Sequence, residues 1–177
     1  METKVTRERL ITFLLETPMF EKLEPSEMME IIHIVEIEMY KQGDIIFEEG
    51  DTGNAWYVLY HVAVDVLKHG SSGEKKITSL GPQSCFGEIS ILDGSPRSAT
   101  IRAAEDSVVF RVSRDAFAEL IDSDHLVAYK LLHHMAILLA ERQRTTTLRL
   151  SELLKASEIT DVHEGIMNIV GESSVRE

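Results

Sequence analysis

The 177-residue chain carries 30 acidic against 18 basic side chains, a net charge of −12, with 44% hydrophobic and 27% charged residues. That composition fits one foldable domain with a substantial core rather than a disordered chain, and its negative field opposes non-specific binding to nucleic-acid phosphates. The single cysteine, Cys85, leaves no intramolecular disulfide, which points to a reducing, cytoplasmic setting; the apolar stretch 10–15 lacks a cleavage pattern, and no segment reaches the roughly 20 apolar residues of a membrane span.

Residues 1–35 read as helical, with Met28, Ile31, Ile32 and Val35 at i, i+3, i+4, i+7 and Pro25 at a first helical position. From 35 to 39 apolar and acidic residues alternate, the mark of a half-buried strand. Turn signals then recur at 42–44, 50–54, 69–73 and 80–82, separating short runs rich in Val, Ile, Tyr and Phe at 44–47, 56–60, 62–67, 76–80, 99–103 and 107–112. Short strands this closely spaced predict a barrel or jelly roll. Ser113 is a candidate cap for a helix through Phe117, Leu120 and Ile121. A longer helix is expected from Asp124 with an apolar face of Leu126, Tyr129, Leu132, Met135, Ala136 and Leu139, and apolar residues return at Leu148, Leu150, Leu153 and Leu154.

The predicted fold is mainly β with flanking helices: a jelly-roll-like β-roll, or double-stranded β-helix, between N-terminal helices and a long C-terminal helix. The segments are 1–35, helical; 36–112, the roll; 113–155, C-terminal helices; and 156–177, a loosely docked acidic tail.

A roll of this kind can be catalytic, so enzyme motifs bear checking. The seven histidines stand at 33, 61, 69, 125, 133, 134 and 163, without the His-x-His and inward Glu of a cupin metal site. Adjacent His133 and His134 diverge by about 100 degrees on a helix. No metal site, catalytic set, nucleophile elbow or phosphate-binding glycine loop is expected. Paired carboxylates such as Glu36 and Glu38, or Glu48 and Glu49, read as solvated strand residues.

The stretch CFGEISILDGSPRSATIRA, residues 85–103, is different in kind. Gly87 permits close backbone approach, residues 89–92 suit one helical turn whose first N–H groups lack intrahelical partners, and 93–96 turn the chain so that Arg97 points back. A guanidinium matches two phosphate oxygens, while Ser98 and Ala99 offer further donors. Glu88 suits a hydroxyl donor on the same ligand, such as a ribose 2′-OH. On residue chemistry alone, a Glu88–Arg97 salt bridge closing a loop is an equal reading.

The segment FGEISILDGSPRSAT resembles the phosphate-binding cassette of the cyclic nucleotide-binding domain family, the type of roll found in catabolite activator proteins and protein kinase regulatory subunits. The likeness extends over roughly residues 18–143, through Pro18 to Phe20, Leu23, GDIIFEEGDTGNAWYVL and VAVDVLK. It implies that Glu88 accepts from the ribose 2′-OH, that Arg97 pairs with the cyclic phosphate, and that backbone groups of Gly87, Ile89, Ser90, Ser98 and Ala99 complete the cradle. It implies a sugar and base pocket of Val66, Ile77 and Thr78, covered by Leu138, Arg142 and Gln143 of the last helix. The chain departs from the family pattern at Val62 and at Gln83-Ser84, where relatives usually carry Gly and Gly-Asp. A β-branched residue disfavours positive φ, so the turn at His61-Val62 is expected to take another shape.

Many bacterial relatives follow the long helix with a DNA-reading unit of some 60 residues, whereas about 22 remain here, so no DNA binding is expected. The resemblance implies a regulatory module without cofactor, whose ligand is cyclic AMP, slightly favoured, or cyclic GMP. Its signal would pass through the 124–154 helix, which is also a candidate homodimer contact, to an effector protein. A ligand-free interaction domain and a cupin-like enzyme are the alternatives.

Overall fold

The computed structural model describes residues 6–71, 73–123 and 126–173. By internal contacts it divides into two units, 1–135 and 136–177. In the first, α1 (Arg7–Glu16) starts at Thr6, whose side chain accepts from the Arg9 N–H, and a 3-10 turn (Pro18–Phe20) follows. Helix α2 (Pro25–Ile34) opens with proline at its first position and with reciprocal capping between Glu24 and Glu27.

Among the described residues eight strands follow: β1 (Val35–Tyr40), β2 (Ile45–Phe47), β3 (Ala55–His61), β4 (Val64–Gly70), β5 (Gly73–Leu80), β6 (Cys85–Phe86), β7 (Thr100–Ala103) and β8 (Ser107–Ser113). They pair antiparallel in two four-stranded sheets, ordered β1-β8-β3-β6 and β2-β7-β4-β5. This is the expected β-roll with flanking helices, one form of the barrel or jelly roll that the turn spacing predicts. The two-residue strand β6 is too short to show a period in sequence.

Ala55, Tyr57, Leu59, Val64, Phe86, Ile101 and Val109 form the core cluster of the roll, with Tyr40, Phe47, Val66 and Leu80 packed against it. The intervening β3 residues Trp56 and Val58 are also fully buried. Trp56 packs on Phe20 from the N-terminal region and on Phe117 from α4 (Arg114–Asp122). Burial on both faces explains why β3 reads as a continuous apolar run rather than an alternating one. Ser113 caps α4 through its side chain, which accepts from the Ala116 N–H at 3.1 Å.

Strand β1 corrects the alternation argument. Its apolar residues Ile37 and Met39 are exposed, Met39 to 76%, while Tyr40 packs on the core cluster. The carboxylates on Tyr40's side are neutralised: Arg111 of β8 pairs with Glu36 and lies 3.6 Å from Glu38, which in turn accepts from the Tyr40 hydroxyl. Compensated charge, rather than hydropathy, decides which face turns inward here.

Helix α5 runs Leu126–Ser173; the expected start at Asp124 lies outside the described residues. Its first residues belong to the first unit, where Val127, Ala128, Leu131 and Met135 are buried. His134 is buried with Nδ1 3.0 Å from the Met19 carbonyl, a packing role. The backbone stays helical through 156–173, which the sequence reading set apart as a tail. No proline interrupts that stretch, and an isolated glycine such as Gly165 costs only about 1 kcal/mol in a helix. Among the described residues, no helix is long and apolar enough to cross a membrane.

Candidate functional site

The cassette is built by two glycines and a clamp. Strand β6 ends at Phe86, and Gly87 turns the chain with φ 78° into the short helix α3 (Glu88–Asp93), which Gly94 ends at φ 73°. Both positions lie in the left-handed region that glycine occupies without penalty. Asp93 Oδ1 then accepts from the backbone N–H and the hydroxyl of Ser95, tightening the return turn. The chain lands on the 50–53 turn: Arg97 N–H donates to Asp51 O at 2.8 Å, and Gly50 N–H donates to Arg97 O at 2.9 Å.

This clamp sends the Arg97 side chain inward, where the residue is 3% exposed. Its Nη1 donates to Gly87 O at 2.7 Å and its Nη2 to Ala55 O at 2.6 Å. The guanidinium carbon lies 4.1 Å from the centre of the Phe47 ring, a cation–π contact. Arg97 Nε is buried with no hydrogen-bond partner among the described residues. These two hydrogen bonds go to neutral backbone carbonyls. Burial lowers the pKa of Arg97, as does nearby Arg114, while Tyr57, Asp51 and Glu88 raise it. A buried cation with neutral partners and a spare donor is suited to an anion.

Glu88, itself 3% exposed, begins α3, and Ser90 is equally buried. A β-carbon on Gly53 would stand 2.3 Å from Ser90 Cβ and 3.4 Å from the Arg97 guanidinium carbon, so these three residues converge. Arg114 joins them, donating from Nε to Gly53 O at 2.9 Å and from Nη2 to Ser90 O at 2.7 Å. Gly53, Ala55, Phe47 and Arg114 escaped the sequence reading. The first two act through backbone oxygens, which no side-chain pattern reveals, and Arg114 looks in sequence like an ordinary first-turn residue of α4.

The remaining predicted residues are distributed more widely. Ile89 and Ser98 are exposed and Ala99 partly buried in the cassette. Val66 packs against the roll core and Thr78 is its partner across the β4–β5 ladder. Ile77 sits where the ladder register shifts and is 61% exposed. Leu138, Arg142 and Gln143 belong to the second unit, Leu138 and Arg142 at i, i+4 on one face of α5.

The two departures from the family pattern have a structural signature. Val62 and Gln83 are the non-glycine residues with positive φ, 69° and 66°, among the described residues. The turn at His61-Val62 thus keeps the left-handed shape that the β-branched side chain was expected to forbid. The flanking strands impose it: β4 must leave this turn paired to both β5 and β7.

Compared with known proteins, residues 37–124 match the family model described as Cyclic nucleotide-binding domain. The chain belongs to the cyclic nucleotide-binding domain family. The matched span of this family runs from β1 through α4 and contains the whole cassette. Among curated relatives, the Cyclic AMP receptor protein of Thermus thermophilus is 36% identical over 138 residues, covering 77% of this chain and 62% of that protein. The cAMP-dependent protein kinase regulatory subunit of Aspergillus niger is 35% identical over 122 residues, covering 68% of this chain and 29% of the subunit. The crystal structure of the Thermus thermophilus Catabolite Activator Protein superposes with a TM-score of 0.68 at 34% identity, covering 77% of this chain and 62% of that one. The chain therefore spans less than two thirds of the length of these relatives. As a family, cyclic nucleotide-binding domains are regulatory rather than catalytic.

Proposed function

We propose that this protein is a cyclic nucleotide sensor that prefers cyclic AMP to cyclic GMP, and that it passes the bound state through α5 to an effector protein. The observation that carries the reading is Arg97: a buried guanidinium with neutral hydrogen-bond partners and a spare Nε, held within the cassette. In this reading Arg97 pairs with the cyclic phosphate and Glu88 accepts from the ribose 2′-OH. Backbone groups of Gly87, Ile89, Ser90, Ser98 and Ala99 complete the cradle. Val66, Ile77 and Thr78 flank sugar and base. The cyclic AMP preference is supported by the relatives, a Cyclic AMP receptor protein and a cAMP-dependent protein kinase regulatory subunit.

Signalling requires that the ligand bind one arrangement of α5 better than another, because a ligand shifts an equilibrium only by its differential affinity. Leu148, Leu150, Leu153 and Leu154 are exposed along α5 and support a homodimer contact there. Calorimetric titration of the wild type with cyclic AMP and cyclic GMP tests the reading. A dissociation constant weaker than about 1 mM for both, about −4 kcal/mol, overturns it. Hydrogen exchange along α5, with and without cyclic AMP, tests the signalling step, and unchanged protection overturns that part.

A further inference from the structure

Beside the cassette lies a network that the phosphate-binding residues do not include. Lys68, in β4, follows Leu67, which pairs with Thr100 of β7. Its Nζ donates to Ser98 O at 2.8 Å and to Glu49 Oε1 at 2.6 Å. Glu49 is held in turn: its Oε2 accepts from the His69 backbone N–H at 3.0 Å, and its own N–H donates to Thr100 Oγ1 at 2.9 Å. The neighbouring ammonium lowers the Glu49 pKa, as does the His69 N–H, so this carboxylate is ionised and anchored rather than the merely solvated residue its sequence context suggests.

The Ser98 carbonyl belongs to the same peptide plane as the Ala99 N–H, and there are no cis peptides among the described residues. In a trans peptide the C=O and N–H point in opposite directions. A cation gripping the carbonyl on the outside therefore fixes the amide donor toward the other side, and polarises it. We propose that Lys68, held by Glu49, is a positioning residue that presents the Ala99 N–H to the cyclic phosphate. The inference rests on the cyclic nucleotide reading of the cassette and adds to it two side chains that never touch the ligand.

The test uses the full chain and the variants Lys68→Met, Lys68→Arg and, as a charge control, Lys41→Met, whose ammonium pairs with Asp106 in an exposed turn. Calorimetry with cyclic AMP is combined with the Ala99 amide resonance by NMR. The expected result is about tenfold weaker binding for Lys68→Met, in keeping with one charge-assisted bond. The Ala99 amide resonance should shift in the free Lys68→Met protein, Lys68→Arg should recover most of the affinity, and Lys41→Met should bind like the wild type. Binding by Lys68→Met within about twofold of the wild type, an unmoved Ala99 resonance, or an equal loss in Lys41→Met overturns the inference while leaving the sensor reading intact. A wild type that binds neither cyclic AMP nor cyclic GMP overturns both.

Discussion

Gly53 and Ser90 touch so closely that a β-carbon on Gly53 would stand 2.3 Å from Ser90 Cβ. The contact brings the 50–53 turn against α3, and Arg114 locks it by donating to the carbonyls of both residues. Gly53→Ala must push these segments apart, since neither the α3 backbone nor the turn can yield without losing those hydrogen bonds. The expected outcome is a loss of about 1 to 3 kcal/mol in stability, as for overpacking elsewhere, with weaker cyclic AMP binding. Denaturant titration and calorimetry measure the two effects.

Arg97→Lys keeps the charge but loses the fork. One ammonium cannot satisfy Gly87 O and Ala55 O together and also reach a phosphate from the position the guanidinium holds. Losing the one charge-assisted bond that the spare Nε offers the phosphate, roughly 1.5 to 3 kcal/mol, corresponds to a fall in affinity of about tenfold to a hundredfold. Cyclic AMP titration of this variant at near wild-type affinity contradicts the assigned role.

Val62 and Gln83 hold left-handed backbone at φ 69° and 66°, a conformation that costs a non-glycine residue about 1 to 2 kcal/mol. Val62→Gly and Gln83→Gly should each stabilise the fold by up to about 1 kcal/mol, after the larger unfolded-state entropy of glycine is set against the relief. The corresponding rise in melting temperature is about 2 to 4 °C for a domain of this size. Val62→Ala, which keeps a β-carbon, should gain much less, and scanning calorimetry distinguishes the pair.

Glu27 of α2 accepts from Lys130 Nζ at 2.6 Å, tying the first turn of one helix to the start of α5. The Lys130 hydrogen bond, followed by the Glu24 backbone N–H, lowers the Glu27 pKa below its ordinary value. A carboxylate with a depressed folded-state pKa adds stability above its unfolded value, near about 4.3. That contribution disappears as pH falls through the folded value. Glu27→Gln should therefore melt below the wild type at pH 7, and the gap should close on acidification below about pH 4. Melting curves across pH 3 to 7 in which the gap stays constant contradict the pairing.

Much of the architecture was legible because local signals agreed. Turn residues at 42–44, 50–54, 69–73 and 80–82 bracket β2, β3, β4 and β5, and Ser113 marks the start of α4. The misreadings fall where a local rule met a tertiary demand. Strand β1 turns Tyr40 inward because Arg111 neutralises its acidic side. Val62 takes positive φ because two strand pairings require it. Helix α5 runs past 155 because nothing in its sequence stops it strongly enough.

By itself the sequence determined the order of most elements and, through its resemblance to the family, the presence of the cassette, with Glu88 and Arg97 as the side chains that resemblance implies for the ligand. Such features depend on residues near one another in the chain: turn propensities, caps and the spacing of charge within a single loop. Only the tertiary structure decided how Arg97 is held, by the carbonyls of Gly87 and Ala55 and the ring of Phe47, and that Gly53, Arg114, Glu49 and Lys68 surround the cassette. Those partners come from strands and turns 10 to 50 residues away, and several contribute only backbone oxygens. A backbone carbonyl is present at every residue, so its selection leaves no trace until strand pairing brings it to the site.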